Sequence, residues 1–443
     1  MTPNLTAHMR RKLLLFTSLV LLFVLPTIGS YYKWKNLPGG TRPIINRHGD
    51  TTGTYFQWKG MPPGYGDFPA QKVLEDAPFN QTYFILASAV CLFVLIFLLF
   101  PKLFGFKKPP ALTGTKKITA AYPPWFVPSI VVLLLSWFFM WGRFDVVQPL
   151  DHFTFVPLWW GFIFLLDAIV YKRNGGVSLM SSRPTTMKIM AITSAGSWFV
   201  FEFLNFFVLE NWYYPNNKIF SNFGNISWQL LSYTTVLPAL FEWYWLLRTS
   251  RFFRHRYSYG PKINFSKTTL YLFLGFGLAL SFFMAIYPEQ LFWALWLGLI
   301  PALVPAMALS KYWNPFTPIG TRGDWSPMLL IALSTLFNGF LWEFWNFGSE
   351  WFHADRPTNP NYWRYSVPYV DKFHIFSEMP VLGYFGYLFF GVGCWVLWGT
   401  VAHLVGFNPA VHDHDKTEEV SPVKIPVTSL TDIKSTDETE VTA

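Results

Sequence analysis

The sequence predicts an all-α, polytopic membrane helical bundle of about ten transmembrane helices, with a four-helix unit used twice in parallel. Three observations predict it. The 443 residues are 52% hydrophobic, 20% aromatic and only 13% charged, where a soluble domain carries about 25% charged residues. Many apolar runs approach or exceed the roughly 18 residues that suggest a membrane span. A Glu-x-x-Asn pattern set among aromatics occurs twice, at an offset of 141 residues.

The spans are expected at 13–30, 82–101, 124–142, 153–171, 188–209, 227–247, 268–287, 290–309, 327–348 and 381–405. The first follows Arg10, Arg11 and Lys12, and its basic start and apolar core also suit a signal sequence. The loop to the second span is rich in Gly, Pro and aromatics and is expected to form a turn-rich cap. Lys102, Lys107, Lys108, Lys116 and Lys117 follow the second span, Lys172, Arg173 and Arg183 the fourth, and Arg248, Arg251, Arg254, Arg256 and Lys262 the sixth. Lys311 and Arg322 follow the eighth. Every second loop is therefore basic and is expected on the cytoplasmic side. Both termini are then expected on the cytoplasmic side of a bacterial inner or plasma membrane. One loop runs against this rule, since 31–82 carries six Lys or Arg on the outer side; long loops weigh less in it.

The chain divides into 1–123, two spans with an outer loop; 124–267, the first four-span repeat; 268–407, the second; and 408–443, a disordered cytoplasmic tail. That tail, with "HDHDKTEEVSPVK", has few aromatics. His412 and His414 in it are expected to be solvated rather than metal-bound. The net charge of +9 reflects the basic inner loops; no nucleic-acid partner is indicated. Cys91 and Cys394 lie in apolar segments and suggest neither a disulfide framework nor a metal site.

The repeat rests on two matches. Glu202, Phe203, Asn205 and Phe206 align with Glu343, Phe344, Asn346 and Phe347, and "LWWGFI" (158–163) aligns with "LWLGLI" (295–300) at an offset of 137. Four is even, so the two copies run the same way through the bilayer. Gly161 and Gly298 are expected to allow close helix approach. Leu158, Trp159, Leu295 and Trp296 read as packing surface.

Glu and Asn three residues apart share a helix face, so each Asn is placed to hydrogen-bond its Glu. A carboxylate in low dielectric is costly. Glu202 and Glu343 are therefore candidate acids or ligand anchors in a polar pocket near the outer leaflet, with Glu378 as a further candidate. The structural alternative is a pair of helix-to-helix or helix-to-loop hydrogen bonds. Asn205, Asn346, Trp212, Tyr214, Trp363, Tyr365, His374 and Glu242 are candidate ligand contacts, although Trp and Tyr also serve simply as interface anchors. Glu242 follows Pro238, whose ring disturbs a helix. Asp167 is expected to snorkel or cap near Lys172 and Arg173. A metal site built from His152, His353 or His374 has no ligand-spacing motif behind it, and no metal is assigned. The glutamates near prolines in "SEMP" and "PALFE" resemble fragments of the small membrane lycopene cyclases, whose Pro-x-Glu-Glu pattern this chain lacks.

Absences narrow the function. Apart from Lys188 at the very edge of the fifth, no span carries a Lys, and only His403 lies within one, which argues against a retinal Schiff base and a transmembrane haem. No phosphate loop, dinucleotide fingerprint, zinc-protease motif or Arg-rich sensor is present. No cofactor is assigned. Three readings stand: a protein that binds or modifies a lipid or isoprenoid, a non-catalytic subunit or scaffold of a complex with other membrane subunits, and a transporter or flippase. Membrane lipids are partners in each.

Overall fold

The computed structural model describes residues 3–36, 41–45, 51–56, 79–108, 119–209, 211–216, 219–351 and 356–411. Met1–Pro409 form one compact unit and Ala410–Ala443 a second. The expected tail beyond residue 411, with His412 and His414, and His353 lie outside the described residues, as does most of the loop before α2.

The chain is mostly helical, with little sheet. In order it forms α1 (Pro3–Asn36), β1 (Thr41–Ile45), β2 (Thr51–Phe56), α2 (Gln81–Leu99), α3 (Phe126–Gly142), α4 (Phe155–Arg173), α5 (Leu179–Ser182), α6 (Pro184–Leu204) and β3 (Trp212–Tyr213). There follow α7 (Asn222–Tyr233), α8 (Val236–Arg248), α9 (Arg251–Arg256), α10 (Lys267–Ile286), α11 (Ala294–Leu297), α12 (Leu299–Leu309), α13 (Thr317–Arg322), α14 (Ser326–Trp351), β4 (Arg364–Tyr365) and α15 (Tyr384–Val405). Among the described residues, seven helical segments are long and apolar enough to cross a membrane: His8–Lys33, Gln81–Leu99, Phe155–Arg173, Pro184–Leu204, Lys267–Ile286, Ser326–Trp351 and Val381–Val405. These features are those of a membrane protein.

The other three expected spans take shorter forms. Phe126–Gly142 and Ala294–Leu309 are apolar but under 18 residues. The run at 227–247 is broken into α7 and α8, and the cause is local. Pro238 has no N–H to continue the ladder, and the Thr235 hydroxyl turns back onto the Ser232 carbonyl at 2.6 Å. Ser194 of α6 fills the break: its hydroxyl donates to the Tyr233 carbonyl and accepts from the Leu237 N–H at 3.0 Å. The freed backbone groups thus find a partner inside the protein, as an apolar surrounding requires.

Small residues set the closest helix contacts. A Cβ on Gly161 would stand 2.9 Å from the Leu133 backbone nitrogen, so α3 and α4 touch backbone to backbone there. Gly298 does not play the expected part, because the atom a Cβ would meet is the Ala294 carbonyl of its own turn, at 2.6 Å. Gly277 does so instead, 2.5 Å from the Ala302 nitrogen where α10 crosses α12. At one end of the bundle Lys12 of α1 donates to the Leu404 carbonyl at 3.2 Å, capping the last turn of α15. Leu158, Trp159 and Leu295 are buried. Trp159 meets Trp345 edge-on at 4.8 Å between centroids and Trp342 at 5.7 Å, which ties α4 to α14.

Candidate functional site

The two Glu–Asn units sit where α6 and α14 end. Helix α6 closes in a π-turn over Asn205–Leu209, and α14 runs on to Trp351. All four side chains are buried, Glu202 at 1% exposure and Asn205, Glu343 and Asn346 at 0%. None faces lipid.

The amides do not hold the carboxyls, as their spacing had suggested. They hold loop backbone. Asn205 donates from Nδ2 to the Trp212 carbonyl at 2.8 Å and accepts at Oδ1 from the N–H groups of Asn211 (2.7 Å) and Trp212 (3.2 Å). Asn346 does the same to one residue of the other loop, donating to the Trp363 carbonyl at 2.8 Å and accepting from its N–H at 3.0 Å.

Between the two amides lies a short antiparallel ladder, β3 with β4, in which Trp212 faces Tyr365 and Tyr213 faces Arg364. Beside it, the Ser366 N–H donates to the Asn211 carbonyl at 2.8 Å. Opposed residues in such a ladder alternate between bonded and non-bonded pairs. Trp212 occupies a non-bonded position and turns its N–H and C=O away from β4, toward Asn205; Trp363 relates to β3 and Asn346 likewise. A two-stranded ladder is marginal by itself. Here each outer edge is closed by a side-chain amide, which offers one donor and one acceptor as a further strand would.

The carboxyls take the side chains that this backbone presents. Glu202 accepts from the indole N–H of Trp198 at 2.9 Å, from that of Trp212 at 3.2 Å to each oxygen, and from the Tyr214 hydroxyl. Glu343 accepts at Oε1 from the hydroxyls of Tyr365 (2.7 Å) and Tyr387 (2.6 Å), and its Oε2 is buried without a hydrogen bond. The Trp363 indole donates to the Tyr365 hydroxyl at 2.8 Å. Burial, and then the Glu202 charge, push the Tyr214 phenol well above its ordinary value, so it stays a donor. Burial and Glu343 do the same to Tyr365.

Six of the predicted contacts, Asn205, Asn346, Trp212, Tyr214, Trp363 and Tyr365, therefore gather around the two carboxyls. Glu378 lies beside the ladder, accepting from Tyr362 at 2.7 Å and from Arg364 of β4 at 3.2 Å. Burial works against the Arg364 charge, but Glu378 raises its pKa overall. His374 is held apart, between Asp371 Oδ1 at 2.8 Å and the Ser377 carbonyl at 3.0 Å. Glu242 is elsewhere, on α8 beside Asp167 of α4. His152 meets the Thr358 carbonyl at 3.3 Å, and among the described residues no group of three His, Cys, Asp or Glu is gathered as metal ligands.

Sequence reasoning missed Trp198, Tyr387 and Arg364. Trp198 carried a signal, standing one turn before Glu202 on the same face. Tyr387 carried none, since its approach depends on Gly339, where a Cβ would lie 2.3 Å from the tyrosine ring. Compared with protein-family models, curated proteins and solved structures, the chain matches none.

Proposed function

We propose that the protein binds or modifies a lipid or isoprenoid, and that Glu343 is the group that meets the polar or unsaturated end of that molecule. The observation that carries this reading is the contrast between the two carboxyls. Glu202 is surrounded by three donors that engage both its oxygens, whereas Glu343 is gripped at Oε1 alone and keeps Oε2 without a partner. A buried acceptor left unpaired costs about 1–3 kcal/mol, so Glu343 has capacity for one more donor, or for a proton on Oε2 that it can give up. An apolar surface that suits a greasy ligand lies one residue along α14. The next residue, Phe344, touches Trp137 at 5.6 Å and Trp141 at 5.1 Å, and both tryptophans line an open apolar groove of about 660 Å³ along α3. Aromatic faces also favour any positive charge that develops when an alkene is protonated.

In this reading the chain crosses the membrane ten times, with both termini in the cytoplasm of a bacterial cell, and the Glu–Asn units lie under the outer leaflet. The four-span unit is a duplication whose copies have diverged, Glu202 serving as a pin and Glu343 as the working group. Support comes from the order Glu, Asn, Trp, Tyr in each half, where the Asn holds the Trp backbone and the Tyr hydroxyl donates to the Glu.

A second reading, a scaffold or non-catalytic subunit, is favoured by one observation: Glu202 and both asparagines are fully engaged with their own loops. Mass spectrometry of lipid retained by the purified protein separates the two. Glu343→Gln is expected to lose a specific bound lipid or isoprenoid that Glu202→Gln keeps. An unchanged lipid complement in both variants would refute the lipid reading and leave the scaffold.

A further inference from the structure

Asp167 and Glu242 belong to neither Glu–Asn unit, and both are 0% exposed. Far from snorkelling, Asp167 is turned into the bundle, because its oxygens organise the turn after α4. Oδ1 accepts from the Trp125 indole at 3.1 Å and the Ser178 hydroxyl at 3.0 Å, and Oδ2 accepts from the Met180 N–H at 2.8 Å. Three donors suit an ionised carboxylate. Glu242 faces Asp167 from α8, which packs on α4. Neither of its oxygens receives a hydrogen bond from an N–H or O–H among the described residues. Ionised, it would be a second negative charge with no donor, set against the first. Protonated, it has one acceptor in reach.

Other charges do not relieve the pair. Helices α3 and α5 carry no ionisable side chain. Lys172 of α4 lies over the Tyr122 ring at 3.9 Å, and Arg248 of α8 donates to its own neighbour Tyr244 at 3.3 Å. The other elements packed on α8 bring Lys188 and Glu202 on α6, Glu343 and Glu350 on α14, and the basic run of α9.

We propose that Asp167 and Glu242 form a proton-binding site in the bundle, with one proton carried by Glu242 and donated to an ionised Asp167. Two carboxyls in one apolar site cannot both ionise, so the pair holds a single charge and a single proton. That O–H···O bond joins α4 to α8, and losing the proton sets two like charges between the helices. The site is thus a proton store linking two helices, independent of whatever occupies Glu343.

The test is infrared spectroscopy of the full-length protein in detergent at neutral pH. A neutral carboxylic acid shows a carbonyl stretch, separate from the carboxylate bands, that shifts in deuterated water. The expected result is one such band lost in Glu242→Gln and kept in Glu202→Gln and Glu343→Gln. Gln at 242 still donates to Asp167, so this variant keeps the helix contact. If the wild-type band is absent, or survives in Glu242→Gln, the shared proton is wrong. A second measurement exchanges choline chloride for sodium chloride. Retention of the band supports the proposal, and its loss with sodium would overturn it in favour of a cation site.

Discussion

Replacing Asn205 or Asn346 by leucine, similar in size but without polar atoms, tests the amide-closed ladder directly. Asn205→Leu strands three backbone groups, the N–H of Asn211 and the N–H and C=O of Trp212, and both residues are buried, at 3% and 4% exposure. Asn346→Leu strands two, the N–H and C=O of Trp363, a residue only partly buried. A buried group without its partner costs about 1–3 kcal/mol, and water reaching Trp363 relieves part of that cost. The expected losses are therefore roughly 3 kcal/mol or more for Asn205→Leu and about half that for Asn346→Leu. Asn205→Asp falls between the parent and Asn205→Leu: it keeps both contacts to N–H groups and sets its second oxygen against the Trp212 carbonyl.

Cys394 supplies the assay. It is free and 2% exposed, so a thiol-reactive dye labels it only as the bundle opens on heating. Cys91, more exposed on α2, gives a background that Cys91→Ser removes. A loss of 1 kcal/mol moves a midpoint by about 2–4 °C in chains of 150–250 residues and by less in longer ones. A fall of roughly 5 °C is expected for Asn205→Leu, with a smaller one for Asn346→Leu. Midpoints that do not move, or the reverse order, would refute the assignment of these amides as edge closures.

Gly277→Ala drives a Cβ to 2.5 Å from the Ala302 backbone nitrogen, which cannot turn aside as a side chain can; its midpoint should fall further than that of Gly275→Ala, where nothing lies within 4 Å. Arg356 donates to Asp145 and, at 2.9 Å, to Asp151, which is 0% exposed. Arg356→Leu leaves a buried carboxylate without this partner, at about 3–5 kcal/mol, and the loss should be insensitive to salt; a salt-dependent loss would mark an exposed pair instead. The Tyr214 phenol is raised in the fold, so its contribution to stability is fully present below the unfolded value near 10 and is lost as pH rises toward the folded one. The midpoint should therefore hold to about pH 10 and then decline, less steeply in Tyr214→Phe, and an equal decline in that variant removes Tyr214 as the cause.

The polar centre was largely legible because it is stated twice. One Glu-x-x-Asn among aromatics is a curiosity, but two at one offset direct attention to the Trp and Tyr that follow each. The ladder joining those loops was not legible, since two-residue strands carry no alternation for a sequence to display. Nor was the target of the asparagines. Spacing puts Glu and Asn on one face, but an amide within reach of both a carboxyl and a loop backbone goes to the backbone, whose donor and acceptor both need partners in an apolar setting. The break after Tyr233 shows the same limit. Pro238 announced trouble, yet only Ser194, arriving from another helix, makes the break tolerable. Asp167 misled because Lys172 and Arg173 are near in sequence, whereas its donors come from Trp125 before the helix and Ser178 and Met180 beyond it.

The loops also account for the change in offset along the chain. From Glu to Asn the interval is three residues in both halves, and from Trp to Tyr it is two in both, but from Asn to Trp it is seven in the first half and seventeen in the second. An added stretch inside the second loop is tolerable only if the ladder keeps its register at both ends, because a one-residue slip would carry Tyr365 away from Glu343. The added residues are anchored independently of the ladder: Thr358 donates to the Met140 carbonyl at 2.7 Å, and Arg356 holds Asp151. The second loop therefore covers the end of α3, next to the groove that Trp137 and Trp141 line. The same half has Gly339 where the first has Trp198, which exchanges an indole donor for space filled by Tyr387. Both departures change the surroundings of Glu343 and leave those of Glu202 alone. In the function proposed above, that is the pattern expected of one carboxyl freed for another use while the other continues to hold the fold.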